Sequence, residues 1–77
     1  MEHILRYARN IKVGNEIRLG QSARPFLVER ADIYNNNTVE LRIKPMVGDN
    51  KELITIYAFP DDMFQVSISS MITINNN

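Results

Sequence analysis

The side chains that could carry chemistry in this chain fall into three groups. Asp61 and Asp62 are adjacent carboxylates of the kind that share general acid–base work. They follow Pro60, where aspartate bonds its own backbone, so the spacing is that of a structural turn. Adding Asp49 brings three carboxylates that could meet Ca²⁺, yet their spacing is not that of an EF-hand loop. His3 is the only histidine, and it stands in no recognisable pattern with a nucleophile, so it reads as a solvated surface group. Without cysteine, thiolate sites and disulfides are excluded, and a zinc site would have to rest on carboxylates. Gly14, Gly20 and Gly48 are isolated, so no phosphate-cradling loop exists. No catalytic residue, metal ligand or cofactor is expected, and the chain reads as non-enzymatic.

The second group is basic. Arg42 and Lys44 share one face of the most regular strand pattern in the chain, Arg18 and Arg30 lie on neighbouring strand patterns, and Arg24, Arg6 and Arg9 lie further out. Arginine outnumbers lysine six to three, and its planar fork suits phosphate or carboxylate recognition. Tyr34 and Tyr57 could stack on a base. Arg18, Arg30, Arg42, Lys44 and Tyr57 are therefore the candidate nucleic-acid site. Glu40 beside Arg42, Glu16 beside Arg18 and Glu29 beside Arg30 support the opposing interpretation, a face of paired charges on neighbouring strands.

The third group is apolar. Leu53 to Phe59 is apolar on both faces, which implies cover on both sides: the core on one, and the N-terminal segment or a partner on the other. Met63 precedes Phe64, and Met71-Ile72-Thr73-Ile74 follows a polar break. Methionine is common at adaptable binding surfaces and also fills small cores. Met63, Met71, Ile72 and Ile74 are the candidate protein-interaction residues, the last three as a strand available for edge addition.

These groups must be positioned by short strands. Val39, Leu41 and Ile43 alternate with Glu40, Arg42 and Lys44, which predicts a strand over 38–44 stopped by Pro45. Asn35-Asn36-Asn37 predicts the preceding turn, because asparagine accepts positive φ. Phe26 to Tyr34 predicts its hairpin partner. The apolar phase there changes between Phe26-Leu27-Val28 and Ala31/Ile33, so a bulge is expected near Glu29-Arg30. Further strands are predicted over 16–19 after the Gly14-Asn15 turn, over 52–59, and over 63–68 with Phe64, Val66 and Ile68 inward and Gln65 and Ser67 outward. Residues 71–74 either prolong the last strand or form a sixth. Ile4, Leu5, Ala8 and Ile11 recur at helical spacing, which predicts a short N-terminal helix, with an irregular arm as its rival. Residues 75–77 form a polar tail.

Seventy-seven residues make one domain, residues 1–77, with a core so small that self-association is expected to supplement it. Nine basic residues balance nine acidic ones, which counts against a non-specific nucleic-acid binder. No apolar stretch approaches a signal peptide or a membrane span, so a cytoplasmic protein is expected.

Ile11-Lys12-Val13-Gly14-Asn15-Glu16-Ile17 resembles the "K-V-G-D-x-I" opening of SH3-like small barrels, including the KOW type of translation and transcription factors. The resemblance runs over residues 11 to 68. Asn15 stands where the family carries an acidic residue, and Gln21 to Pro25 replaces the loop that carries a glycine in KOW motifs. The family implies an RNA- or ribosome-binding barrel, and no functional residue transfers across those departures.

The expectation is an all-β, SH3-like antiparallel barrel of five to six strands. Its expected role is a protein–protein interaction module, a small accessory or inhibitory protein acting through a β edge or apolar patch, which also self-associates. A chain of this kind suits a phage or mobile element. The alternative is a nucleic-acid-binding barrel using the basic strand face.

Overall fold

Val39, Leu41 and Ile43 form the centre of the molecule. All three are buried, and they lie on β4 (Thr38–Pro45), whose alternation turns one face inward and stops at a proline that cannot donate to a ladder. The computed structural model describes residues 2–20, 24–35 and 37–75, with the backbone alone for 72–75. Asn76 and Asn77, most of the expected polar tail, lie outside the described residues, as does Asn36 of the expected turn.

The hairpin partner of β4 is β3 (Phe26–Tyr34). Its register to β4 shifts between Val28 and Arg30. That bulge places Val28 opposite Ile43 and then Ala31 opposite Leu41 and Ile33 opposite Val39, so both halves of β3 turn their apolar residues to the same side. Asn35 takes φ 55° and the Asn37 N–H donates to the Tyr34 carbonyl at 3.0 Å, which closes the hairpin.

The remaining strands are β1 (His3–Tyr7), β2 (Glu16–Arg18), β5 (Ile54–Ala58) and β6 (Met63–Ser67). All ladders are antiparallel, and they join the six strands in the order β1-β6-β2-β3-β4-β5. The expected all-β antiparallel architecture is present. Six flat strands would make a slab about 10 Å thick. The molecule measures 33 × 29 × 26 Å, so the sheet curls over its own core of Ala8, Ile11, Ile17, Val28, Val39, Leu41, Ile43, Ala58 and Val66. Among the described residues no ladder joins β1 to β5, so both are free edges.

The turn before β2 is built around Asn15. Gly14 adopts φ 94°, and the buried Asn15 accepts the Lys12 N–H on Oδ1 at 2.8 Å. Its own carbonyl accepts the Val28 N–H at 2.9 Å, which ties the turn to β3.

Three expectations are corrected. The N-terminal segment is not a helix: it is β1, followed by a single 3-10 turn at Ala8–Asn10. Five residues pair in full with β6, from His3 opposite Ser67 to Tyr7 opposite Met63, and this ladder satisfies more backbone than a two-turn helix could. Residues 71–74 are not a strand: they belong to α1 (Ile68–Asn75). Ser67 also faces differently from the expected outward position. It is buried, its carbonyl accepts the Ser70 hydroxyl at 2.7 Å, and its own hydroxyl meets that of Ser69 at 2.9 Å. Ser70 Oγ accepts the Glu16 N–H at 3.0 Å, which anchors the helix start to β2.

Among the described residues, no helix is long and apolar enough to cross a membrane.

Candidate functional site

The register of β3, β4 and β5 arranges the outer face in rows. Arg30, Arg42 and Thr55 form one row, and Asp32, Glu40 and Tyr57 the next. Arginine thus stands opposite arginine and carboxylate opposite carboxylate. The ion pairs run along each strand: Arg30 Nε donates to Asp32 Oδ2 at 2.7 Å and Arg42 Nε to Glu40 Oε2 at 3.2 Å. Lys44 lies 3.6 Å from Glu29 on the bulge.

Glu40 is the buried member of this group. Its Oε1 accepts the Tyr34 hydroxyl at 2.6 Å. That hydrogen bond, with Arg42 adding to it against the opposing effect of burial, holds the Glu40 carboxyl below the ordinary carboxylate range. The same bond favours the neutral Tyr34 phenol and pushes its pKa up.

Of the five candidate nucleic-acid residues, Arg30, Arg42, Lys44 and Tyr57 therefore share one face. Arg18 lies apart on β2, opposite Gln65 of β6, and is only half-exposed. The three cations that come together each meet a carboxylate.

The apolar candidates are scattered. Met63 is exposed at the start of β6, beside the β1 edge. Met71 is half-buried and packs against the core. Ile72 and Ile74 lie in α1, and their side chains lie outside the described residues.

None of the four candidate protein-interaction residues lies on β5. Its continuous apolar pattern predicts cover on both faces, and the structure covers only one. Ala58 is buried and Ile56 packs against the core, while on the outer face Tyr57 is 68% exposed, with Leu53 at 56% and Phe59 at 66% flanking the strand. The N-terminal segment expected as the second cover pairs with β6 instead, at the far end of the strand order. A shallow cavity of about 260 Å³ adjoins the strand, lined by Thr38, Tyr57, Ala58, Phe59 and Asp62.

The β5–β6 turn accounts for the paired aspartates. Asp62 Oδ2 accepts the Phe59 N–H at 2.8 Å while its own N–H donates to the Phe59 carbonyl at 3.0 Å. Asp61 bridges to Arg9, whose guanidinium sits 4.3 Å from the centre of the Tyr7 ring. His3 is half-buried on β1. Among the described residues no three His, Cys, Asp or Glu side chains group as metal ligands.

No protein-family model matches the chain, and neither does any curated protein or solved structure.

Proposed function

We propose that this chain is a non-enzymatic protein–protein interaction module that docks through the free edge and outer face of β5. The observation that carries the reading is a terminal strand whose outer face exposes Leu53, Tyr57 and Phe59, with no charged residue from Leu53 to Pro60. Such an edge offers unpaired backbone groups for strand addition and side-chain contacts for selectivity. Natural proteins blunt idle edges with charge, proline or bulges, so a bare apolar edge argues for use. A small accessory or inhibitory role in a reducing compartment such as the cytoplasm suits a chain without cysteine.

The nucleic-acid reading rests on the convergence of Arg30, Arg42, Lys44 and Tyr57 on one face. The pairing of each cation with a carboxylate weakens it, because phosphate contacts would have to displace Asp32, Glu40 and Glu29.

An affinity capture from the native host, with nuclease treatment, compares the unaltered chain with Tyr57→Lys and with the double substitution Arg42→Ala, Lys44→Ala. The proposal expects a protein partner that survives nuclease and is lost only with Tyr57→Lys. Nuclease-sensitive capture that weakens steeply with salt and is lost in the double variant would overturn it.

A further inference from the structure

We infer that the cavity at the free edge of β1 is a binding site for a small aromatic carboxylate, with Arg6 and Lys12 holding the carboxylate and Tyr7 and Met63 the ring. The site lies at the other end of the strand order from β5 and does not depend on the docking role proposed there.

Charge decides the head group. Arg9, Arg30, Arg42 and Lys44 each meet a carboxylate of this chain. Among the described residues Arg6 and Lys12 meet none, and no aspartate or glutamate lines the cavity of about 440 Å³ that they share. Arg6 donates from Nη1 to the Asn10 carbonyl at 3.4 Å, which leaves the rest of its guanidinium fork uncommitted. One open side of that fork and one ammonium suit the two oxygens of a carboxylate. A neutral occupant would bury both cations without compensation, the same cost that discourages strand addition at this edge. An anion reverses the sign of that term.

The register decides the body. Tyr7 stands directly opposite Met63, on the face of the sheet that also carries Leu5, and all three are exposed. The Arg9 guanidinium lies 4.3 Å from the centre of the Tyr7 ring and holds it in place by a cation–π contact. An aromatic edge beside a thioether is a surface that a flat ring fits, by offset stacking and by sulfur–aromatic contact. Ile4 closes the cavity from the other face of the strand. Its volume falls within the roughly 300–1,000 Å³ of small-molecule sites, room for fused rings with a carboxylate, whereas a bare inorganic anion would leave the apolar walls wet.

The probe is naphthalene-2-carboxylate, titrated against the unaltered chain while its amide resonances are followed. Naphthalene-2-carboxamide, without the charge, and acetate, without the ring, separate the two halves of the ligand. The expected result is saturable shifts at Ile4–Tyr7, Lys12 and Met63, with a dissociation constant of about 1 mM or lower. The amide and acetate are each expected to bind about tenfold more weakly. Lys12 is exposed, so Lys12→Gln spares the fold and is expected to weaken the carboxylate by about threefold or more while leaving the amide unchanged. Tyr57→Lys is expected to keep full affinity, which separates this site from the β5 surface. Equal binding of carboxylate and amide, or an affinity unmoved by both Lys12→Gln and Arg6→Gln, overturns the charged head group. Shifts centred on β5, or none at the solubility limit of the probe, overturn the site. A peptide alternating glutamate and valine that binds more tightly than the probe and protects the β1 amides from exchange would make the occupant a strand and overturn the small ligand.

Discussion

The two free edges of the sheet are alike in length and opposite in character. β1 and β5 each contribute five residues, each stands at one end of the strand order, and each exposes large apolar side chains. β1 carries Arg6 within the strand and is followed by Arg9, which lies against Tyr7 and bridges to Asp61. The cavity beside it, about 440 Å³, is lined by Arg6 and Lys12 as well as Ile4 and Leu5. β5 has no charge in or beside the strand until Lys51–Glu52 on one side and Asp61 on the other. A charge on an edge imposes a desolvation cost on any strand that tries to add there, so β1 is a protected edge and β5 is an available one.

The most damaging way to break this comparison is to remove the centre that holds the edges apart. Leu41 is fully buried, between Ala31 of β3 and Ile56 of β5. Leu41→Ala is expected to cost about 2–5 kcal/mol in urea denaturation and to loosen both edges together. A loss under about 1 kcal/mol would mean that the core does not converge on β4.

Next in size is an exchange of edge character. Arg6→Ile removes the charge from β1 and is expected to create a second adhesive edge, raising the association measured by light scattering at least tenfold. Tyr57→Lys does the reverse on β5 and is expected to lose the captured partner at nearly unchanged stability. If Arg6→Ile associates no more than the unaltered chain, charge is not what separates the two edges.

A smaller effect should come from the network that backs β5 through β4. The folded state favours ionised Glu40, so its contribution is complete above the ordinary carboxylate pKa of about 4.3 and is lost as pH falls through its depressed value. The folded state also favours neutral Tyr34, so that contribution is complete below about pH 10 and is lost as pH rises through the raised value. Tyr34→Phe is expected to flatten both limbs of a thermal-midpoint profile against pH, whereas Tyr57→Phe leaves both intact. Equal profiles for Tyr34→Phe and the unaltered chain would remove the Tyr34–Glu40 bond from the account.

The smallest effect is expected from Arg9→Ala, which removes the side-chain bridge to the β5–β6 turn while the Ala8 and Arg9 N–H bonds to the Asp62 and Pro60 carbonyls stay in place. Both partners are largely exposed, so at most about 1 kcal/mol should be lost. A larger loss would show that the bridge, and not the two backbone bonds, holds the turn to the segment after β1.

What was legible in the sequence follows from which signals are local. The β3–β4 hairpin was readable to the residue at the start and end of β3, because alternation, an asparagine turn, a phase change and a terminal proline are all written within twenty residues. The N-terminus was not. Its apolar residues also recur at helical spacing, and only pairing with β6, some sixty residues away, decides for strand. Residues 71–74 failed in the opposite sense: β-prone types sit in a helix anchored by Ser70 and packed through Met71. The candidate site was half legible. Composition showed that Leu53–Phe59 needed a second cover. Only the topology shows that β1 stands at the other end of the strand order and that, among the described residues, no strand pairs with β5 on its outer side.

The most direct test of the central claim is amide hydrogen exchange, followed residue by residue with and without the captured partner. The account predicts that the outward-facing amides among Ile54–Ala58 slow when the partner is added, while those of His3–Tyr7 keep their rates. Slowing at His3–Tyr7 with β5 unchanged would contradict it.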